Sequence, residues 1–106
     1  MAFIYRVSFD LDPDQVAELS IGAPLERVIG YLRVLLPSHQ GYLTSRAMYA
    51  VEPSEPVEVA FESVWQSWGD LVAHRESDLV EAKVLAEFGL HISRDALRVG
   101  IYEEIP

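Results

Sequence analysis

The order of elements written into this chain predicts an α+β domain of ferredoxin-like type, β-α-β-β-α-β, with a four-stranded antiparallel sheet. Two-residue alternation of apolar side chains marks both ends and the middle of the chain, and a helical period fills the two intervals. Proline, glycine and Ser-x-x-Asp signatures stand at the joins between them.

The first strand is read from Ala2 to Asp10, where Phe3, Tyr5, Val7 and Phe9 share one face and Arg6 and Ser8 the other. "DLDPDQ" ends it, with Pro13 and its flanking aspartates read as a turn. Pro24 suits the first position of a helix, and Leu25, Val28, Ile29, Leu32 and Leu36 follow at helical spacing up to Pro37. After the turn "SHQG", a second strand is predicted over about Tyr42 to Val51. "EPSEP" turns the chain again, and Val57, Val59 and Phe61 head a third strand that reaches Trp65, its apolar side covered by helices. Ser67 caps the next helix, with Asp70 as the capping-box acid. Asp78 and Glu81 repeat that signature, so this helical region should break near Ser77. Val80, Val84, Leu85 and Phe88 form the buried face of its second piece, Gly89 stops it, and Leu97 to Ile105 alternates as the fourth strand.

Length and composition narrow the function classes. The 106 residues read as a single domain, residues 1–106. Acids outnumber bases 17 to 8, Lys83 is the only lysine, and the arginines stand singly, which leaves no track for a phosphate backbone. Nucleic acid is therefore excluded as a partner. The absence of cysteine removes disulfides, thiolate nucleophiles and zinc–cysteine clusters. The amino end has no basic leader and "VIGYLRVLL" is short and broken by Arg33, so a soluble, cytoplasmic protein without membrane contact is expected. No phosphate-binding glycine loop or nucleophile motif occurs, and no cofactor is implied. Asp10, Asp12 and Asp14 alternate like the start of a calcium loop. Gln15 and Ile21 then stand where such a loop needs glycine and glutamate, so no metal is expected.

Both crossovers of this topology run on one side of the sheet, so the other face is left without a covering element. That face mixes Ile4, Ala60, Val64 and Tyr102 with Arg6, Glu62 and Arg98, a surface too apolar to leave to water. A second copy of the chain is the economical cover, which makes a homodimer the expected assembly. Opposite charges on neighbouring strands should pair, so Arg6, Glu62 and Arg98 are read as an ion-pair cluster inside that dimer.

"VWQSW" at the end of the third strand, "AHRESDL" in the following helix, "PLERVIGYLR" and "GYLTSRAMYAVEP" together resemble the antibiotic biosynthesis monooxygenase-like family over nearly the whole chain. The resemblance implies a dimeric α/β barrel made of two such sheets closing face to face. It also implies possible chemistries: oxidation of aromatic phenols by dioxygen without metal or flavin, haem degradation in some relatives, and no known reaction in many. The characterised oxygenases pair an asparagine with a tryptophan; this chain has no asparagine, and only Trp65 matches.

Trp65 and His74 are accordingly the two candidate catalytic residues. Trp65 could line a pocket between sheet and helices and offer its indole N–H to a ligand oxygen, or it could be a core aromatic at a strand end. His74 would be a general base if it faced inward. Asp70 and Asp78, four residues before and after it, favour its charged form, so a partly exposed structural histidine is expected. Trp68, Tyr31 and Tyr49 are read as packing residues, and His39 and His91 as surface ones. Two functions stand side by side. The first is a cofactor-independent monooxygenase acting on a small aromatic or polyketide-like phenol, with a tyrosine or arginine in place of the missing asparagine. The alternative is a non-catalytic dimeric module that binds a small apolar ligand or serves structurally. A cavity reached by Trp65 and two polar groups separates them.

Overall fold

A computed structural model of the chain describes residues 1–19 and 22–106, with no account of the side chains of residues 17–22. Four strands, β1 (Phe3–Leu11), β2 (Tyr42–Ser54), β3 (Val57–Trp65) and β4 (Arg98–Glu103), form one sheet in the order β2-β3-β1-β4. Every adjacent pair is antiparallel. β1 and β3 are the central strands, and their register fixes the rest. Val7 lies opposite Phe61 and Phe9 opposite Val59 on the helix side, while Arg6 lies opposite Glu62 on the open side. This is the predicted ferredoxin-like α+β fold.

The helices cover one face. Tyr5, Val7, Phe9 and Leu11 of β1 and Val59, Phe61 and Trp65 of β3 are buried under Leu25, Val28, Leu32 and Leu36 from the first crossover. Leu71, Val80, Val84 and Phe88 from the second crossover complete that core. Phe61 is thus a core residue, as the alternation required. Among the described residues, no helix is long and apolar enough to cross a membrane.

Each crossover carries two helical stretches among the described residues. The second breaks where the sequence indicated, into α3 (Trp68–Ser77) and α4 (Leu79–Phe88), with Asp78 between them in the left-handed region at φ 55° and ψ 22°. Ser67 caps α3 as expected, its hydroxyl accepting from the Asp70 N–H at 3.1 Å. The second capping signature does not operate as one. Asp78 makes no cap bond and instead receives both guanidinium nitrogens of Arg94 at 2.9 Å. Glu81 turns into the core.

The first crossover corrects the reading of Pro13 as part of a turn. Pro13 opens a helix, α1 (Pro13–Leu19), and α2 runs Gly22–Leu35, two residues before the expected start at Pro24. Asp12 is the residue before α1, and the Gln15 side chain reaches back to accept its backbone N–H at 2.8 Å. That Asp-Pro-x-Gln pattern supplies the return half of a capping box, with proline at the first helical position. β2 also runs to Ser54, beyond Val51, and takes in the first half of "EPSEP".

Ser67→Ala removes the oxygen that holds the first turn of α3 and should lower stability by about 1 kcal/mol. Urea unfolding should show an earlier midpoint with an unchanged slope.

Candidate functional site

The end of β3 and the inner face of α3 bring the two candidate residues into contact. Trp65, the last residue of β3, is completely buried, and His74, two turns into α3, is 2% exposed. Their rings stack, with centroids 4.5 Å apart and planes 24° from parallel. The Trp65 indole N–H donates to the Ser63 hydroxyl at 2.9 Å, and that hydroxyl lies 3.4 Å from His74 Nε2. Tyr5 from β1 meets the His74 ring edge-on, 5.1 Å between centroids, and its hydroxyl donates to Glu81 of α4 at 2.8 Å. A polar cluster of five residues from β1, β3, α3 and α4 is therefore closed inside the core.

His74 Nδ1 has no hydrogen-bond partner. In either neutral tautomer, one polar ring atom is thus left without a protein group to meet it. Burial, and then the nearby charge of His39, push the His74 imidazole down from 6.5 to about 4. The ring is neutral at physiological pH. This overturns the expectation of a partly exposed, charged histidine. The acids that were to charge it are committed elsewhere: Asp70 takes the Ser67 hydroxyl at 2.7 Å, and Asp78 takes Arg94. Desolvation then decides the sign.

His39 also differs from expectation. It is half-buried, and its ring lies 6.4 Å from both the Trp65 and the His74 rings. Tyr42 adds a further edge contact to Trp65 at 5.9 Å. Burial first, and then the hydrogen bond to Glu81, push the Tyr5 phenol up. Burial likewise pushes the Glu81 carboxyl up, although the Tyr5 hydrogen bond works against it. Trp68 packs less than expected: it is 49% exposed and touches Phe3 edge-on at 5.9 Å. Tyr31 and Tyr49 lie at the surface, Tyr31 under the Lys83 ammonium at 4.8 Å. His91 is half-buried, and its carbonyl accepts from Gln15.

The open sheet face carries the expected ion pairs, with more partners. Arg6 donates to Glu62 at 2.7 Å and to Glu58 at 3.0 Å, and Arg46 reaches Glu62 at 2.8 Å. Arg98 pairs with Asp10 at 2.8 Å and Glu58 at 3.0 Å, and not with Glu62. Burial alone would raise the Glu62 carboxyl, but its two arginines hold it below the usual range. Ile4 and Tyr102 stand among these charges in an open groove of about 610 Å³. Among the described residues, no group of three or more His, Asp or Glu side chains gathers to hold a metal ion. An apolar groove of about 340 Å³ runs along β2 beside Leu25 and Ile29. Neither groove is lined by Trp65 or His74.

No family model matches the sequence, and no curated protein matches it. Solved structures do. One from Deinococcus radiodurans, described as a "putative antibiotic biosynthesis monooxygenase", is 15% identical with a TM-score of 0.62, covering 98% of this chain and 93% of that one. One from Caulobacter crescentus with the same description is 13% identical with a TM-score of 0.63, covering 99% and 91%. A Bacteroides fragilis protein described as dimeric, of unknown function and ferredoxin-like fold, is 16% identical with a TM-score of 0.68, covering 97% and 96%. The chain shares a ferredoxin-like fold with them from end to end, the fold that the order of elements predicted.

A buried histidine held near 4 destabilises the fold as pH falls, because the unfolded chain binds a proton near 6.5 that the folded chain refuses. Between those values wild-type stability should fall by roughly 3 kcal/mol relative to His74→Gln, with no further difference below about 4. Glu81, raised on folding, works in the opposite direction and cancels in the comparison. Urea unfolding of both proteins from pH 4 to 7.5 reads the difference; parallel curves would mean that His74 is not held neutral.

Proposed function

We propose that the chain is a soluble, cytoplasmic homodimer that oxidises a small aromatic or polyketide-like phenol with dioxygen, without metal or flavin, at the Trp65–His74 cluster. The observation that carries this reading is the neutral His74 imidazole, buried, stacked on Trp65 and left with Nδ1 unpartnered. A neutral imidazole with one nitrogen unmet can accept a substrate proton transiently, and its low proton affinity returns it to the neutral form in each cycle. His74 would remove the phenolic proton while Trp65 lies against the substrate ring. The phenolate then supplies the electrons that reduce dioxygen. One oxygen atom enters the ring carbon para to the hydroxyl, the other leaves as water, and the phenol becomes the quinone. Tyr5, Ser63 and Glu81 supply the polar groups that an asparagine supplies in the family's characterised oxygenases. The solved structures of the same fold described as monooxygenases support the reaction class.

A specific observation favours the alternative of a non-catalytic dimeric module. Trp65 is completely buried and lines none of the grooves among the described residues, the closed core that marks the module in the sequence reading, so a substrate reaches it only if the helix side of the sheet opens. Oxygen uptake separates the two. A panel of dihydroxynaphthalenes and anthrones should consume one dioxygen per phenol oxidised, and His74→Gln should lower the rate on the order of a hundredfold. The rate should hold down to about pH 5 and fail as His74 gains its proton near 4. No uptake above the uncatalysed rate with any of them would leave the binding module as the reading.

The dimer rests on the open face. Ile4, Val64 and Tyr102 stand there among side chains whose charges are already paired, a surface suited to a second identical face. Val64→Asp should shift the light-scattering mass from two chains towards one chain of 11.9 kDa while the thermal unfolding of the helix-side core changes little.

A further inference from the structure

We propose that His39 is the outer member of a two-imidazole proton relay, carrying the proton that the buried His74 collects out to solvent. This rests on the reading of His74 as the base and names the residue that acts through it. A proton taken into the core must leave again, and the groups around His74 differ in their capacity to move it. Tyr5 on the β1 side gives its hydroxyl proton to Glu81, Ser63 on the β3 side accepts from Trp65, and the carboxylates of Asp70 and Asp78 on its own helix are engaged with Ser67 and Arg94. His39, from the turn before β2, is the half-buried group whose ring faces both His74 and Trp65 at 6.4 Å. Those 6.4 Å separate the ring centroids, and the relay places one water between the facing ring nitrogens.

The two rings also exclude each other's charge. Charge on His39 disfavours a proton on His74, so a proton that reaches the inner ring is driven off it again towards the outer side. The proton accounting closes within the pair. His74 accepts the substrate proton at its free ring nitrogen, gives the same proton up through the bridging water to His39, and returns to its starting neutral form. His39 returns its proton to bulk water. The missing contact of Nδ1 with any protein group leaves that nitrogen free to take up and release the proton.

The test is the exchange of the His74 ring N–H with water, followed by NMR in protein carrying 15N-labelled histidine and tryptophan, with the Trp65 indole N–H as the internal measure of core opening. In His39→Gln the His74 exchange should slow by on the order of tenfold or more. The Trp65 exchange should not change, and imidazole added to the buffer should restore the lost rate. His39→Asn serves as a second variant in case glutamine disturbs the turn. Unchanged His74 exchange in both variants overturns the relay, as does a change shared by Trp65, which would report opening of the core. Oxygen uptake keeps the two readings apart. Slowed exchange in a protein that oxidises no phenol keeps the relay and removes the monooxygenase, whereas full phenol turnover in His39→Gln removes the relay and keeps the enzyme.

Discussion

The register of β1 against β3 is the constraint on which the rest of the molecule depends. With Val7 opposite Phe61, every odd-numbered side chain of both strands enters the helix-covered core and every even-numbered one meets the open face. A slip of one residue would place Arg6 and Glu62 in the core and Phe9 and Phe61 in water. Ser63 and Trp65 belong to the odd set with Tyr5, which is why a hydroxyl, an indole and a phenol lie on the same side as the aliphatic core. The same alternation lines up Arg6, Glu58, Glu62 and Arg98 on the other side as mutually satisfied ion pairs. One geometric fact thus creates both surfaces of interest: a closed polar cluster inside and a half-apolar, charge-paired face outside.

The inner cluster is costly for a protein that needs only a core. Leaving a buried polar atom such as His74 Nδ1 unmet costs about 1–3 kcal/mol, and keeping an imidazole neutral there adds a dependence on pH. Leucine or phenylalanine at that position would pack against Trp65 without either penalty. Glu81, a carboxyl carried inward on the first turn of α4 to meet Tyr5, adds a second expense of the same kind. On the proposed reading, a neutral base, a phenol and a carboxyl around one indole give reactivity in return for stability.

Much of this was legible in the sequence. Alternation in β1, β3 and β4 and the helical spacing from Leu25 to Leu36 gave the elements, because each side chain's burial there follows from its own strand or helix period. Ser67 and Asp70 announced the start of α3, and the second Ser-Asp region announced the break before α4. What stayed hidden depended on contacts between distant segments. The charge of His74 could not be read from Asp70 and Asp78, because Ser67 and Arg94 take those carboxylates and because β1 and β3 seal the ring from water. His39 is close to His74 only after β2 pairs with β3, and nothing local to "PSHQG" marks it. Glu81 faces Tyr5 across a sequence separation of 76 residues, so its capping-box spacing misdirected the reading. α1 is the exception, since "DPDQ" carried a local cap signature that the three aspartates obscured.

The central claim is that a ligand's aromatic ring reaches Trp65 beside His74. Titrating 15N-tryptophan-labelled protein with a dihydroxynaphthalene under argon tests it directly, with the half-exposed indole of Trp68 as the control for surface binding. The expected result is a saturable shift of the Trp65 indole N–H that His74→Gln weakens, with the Trp68 signal unmoved. A Trp65 signal that stays fixed while Trp68 shifts, or while neither moves up to the solubility limit of the ligand, would contradict the claim and leave the cluster as part of the core alone.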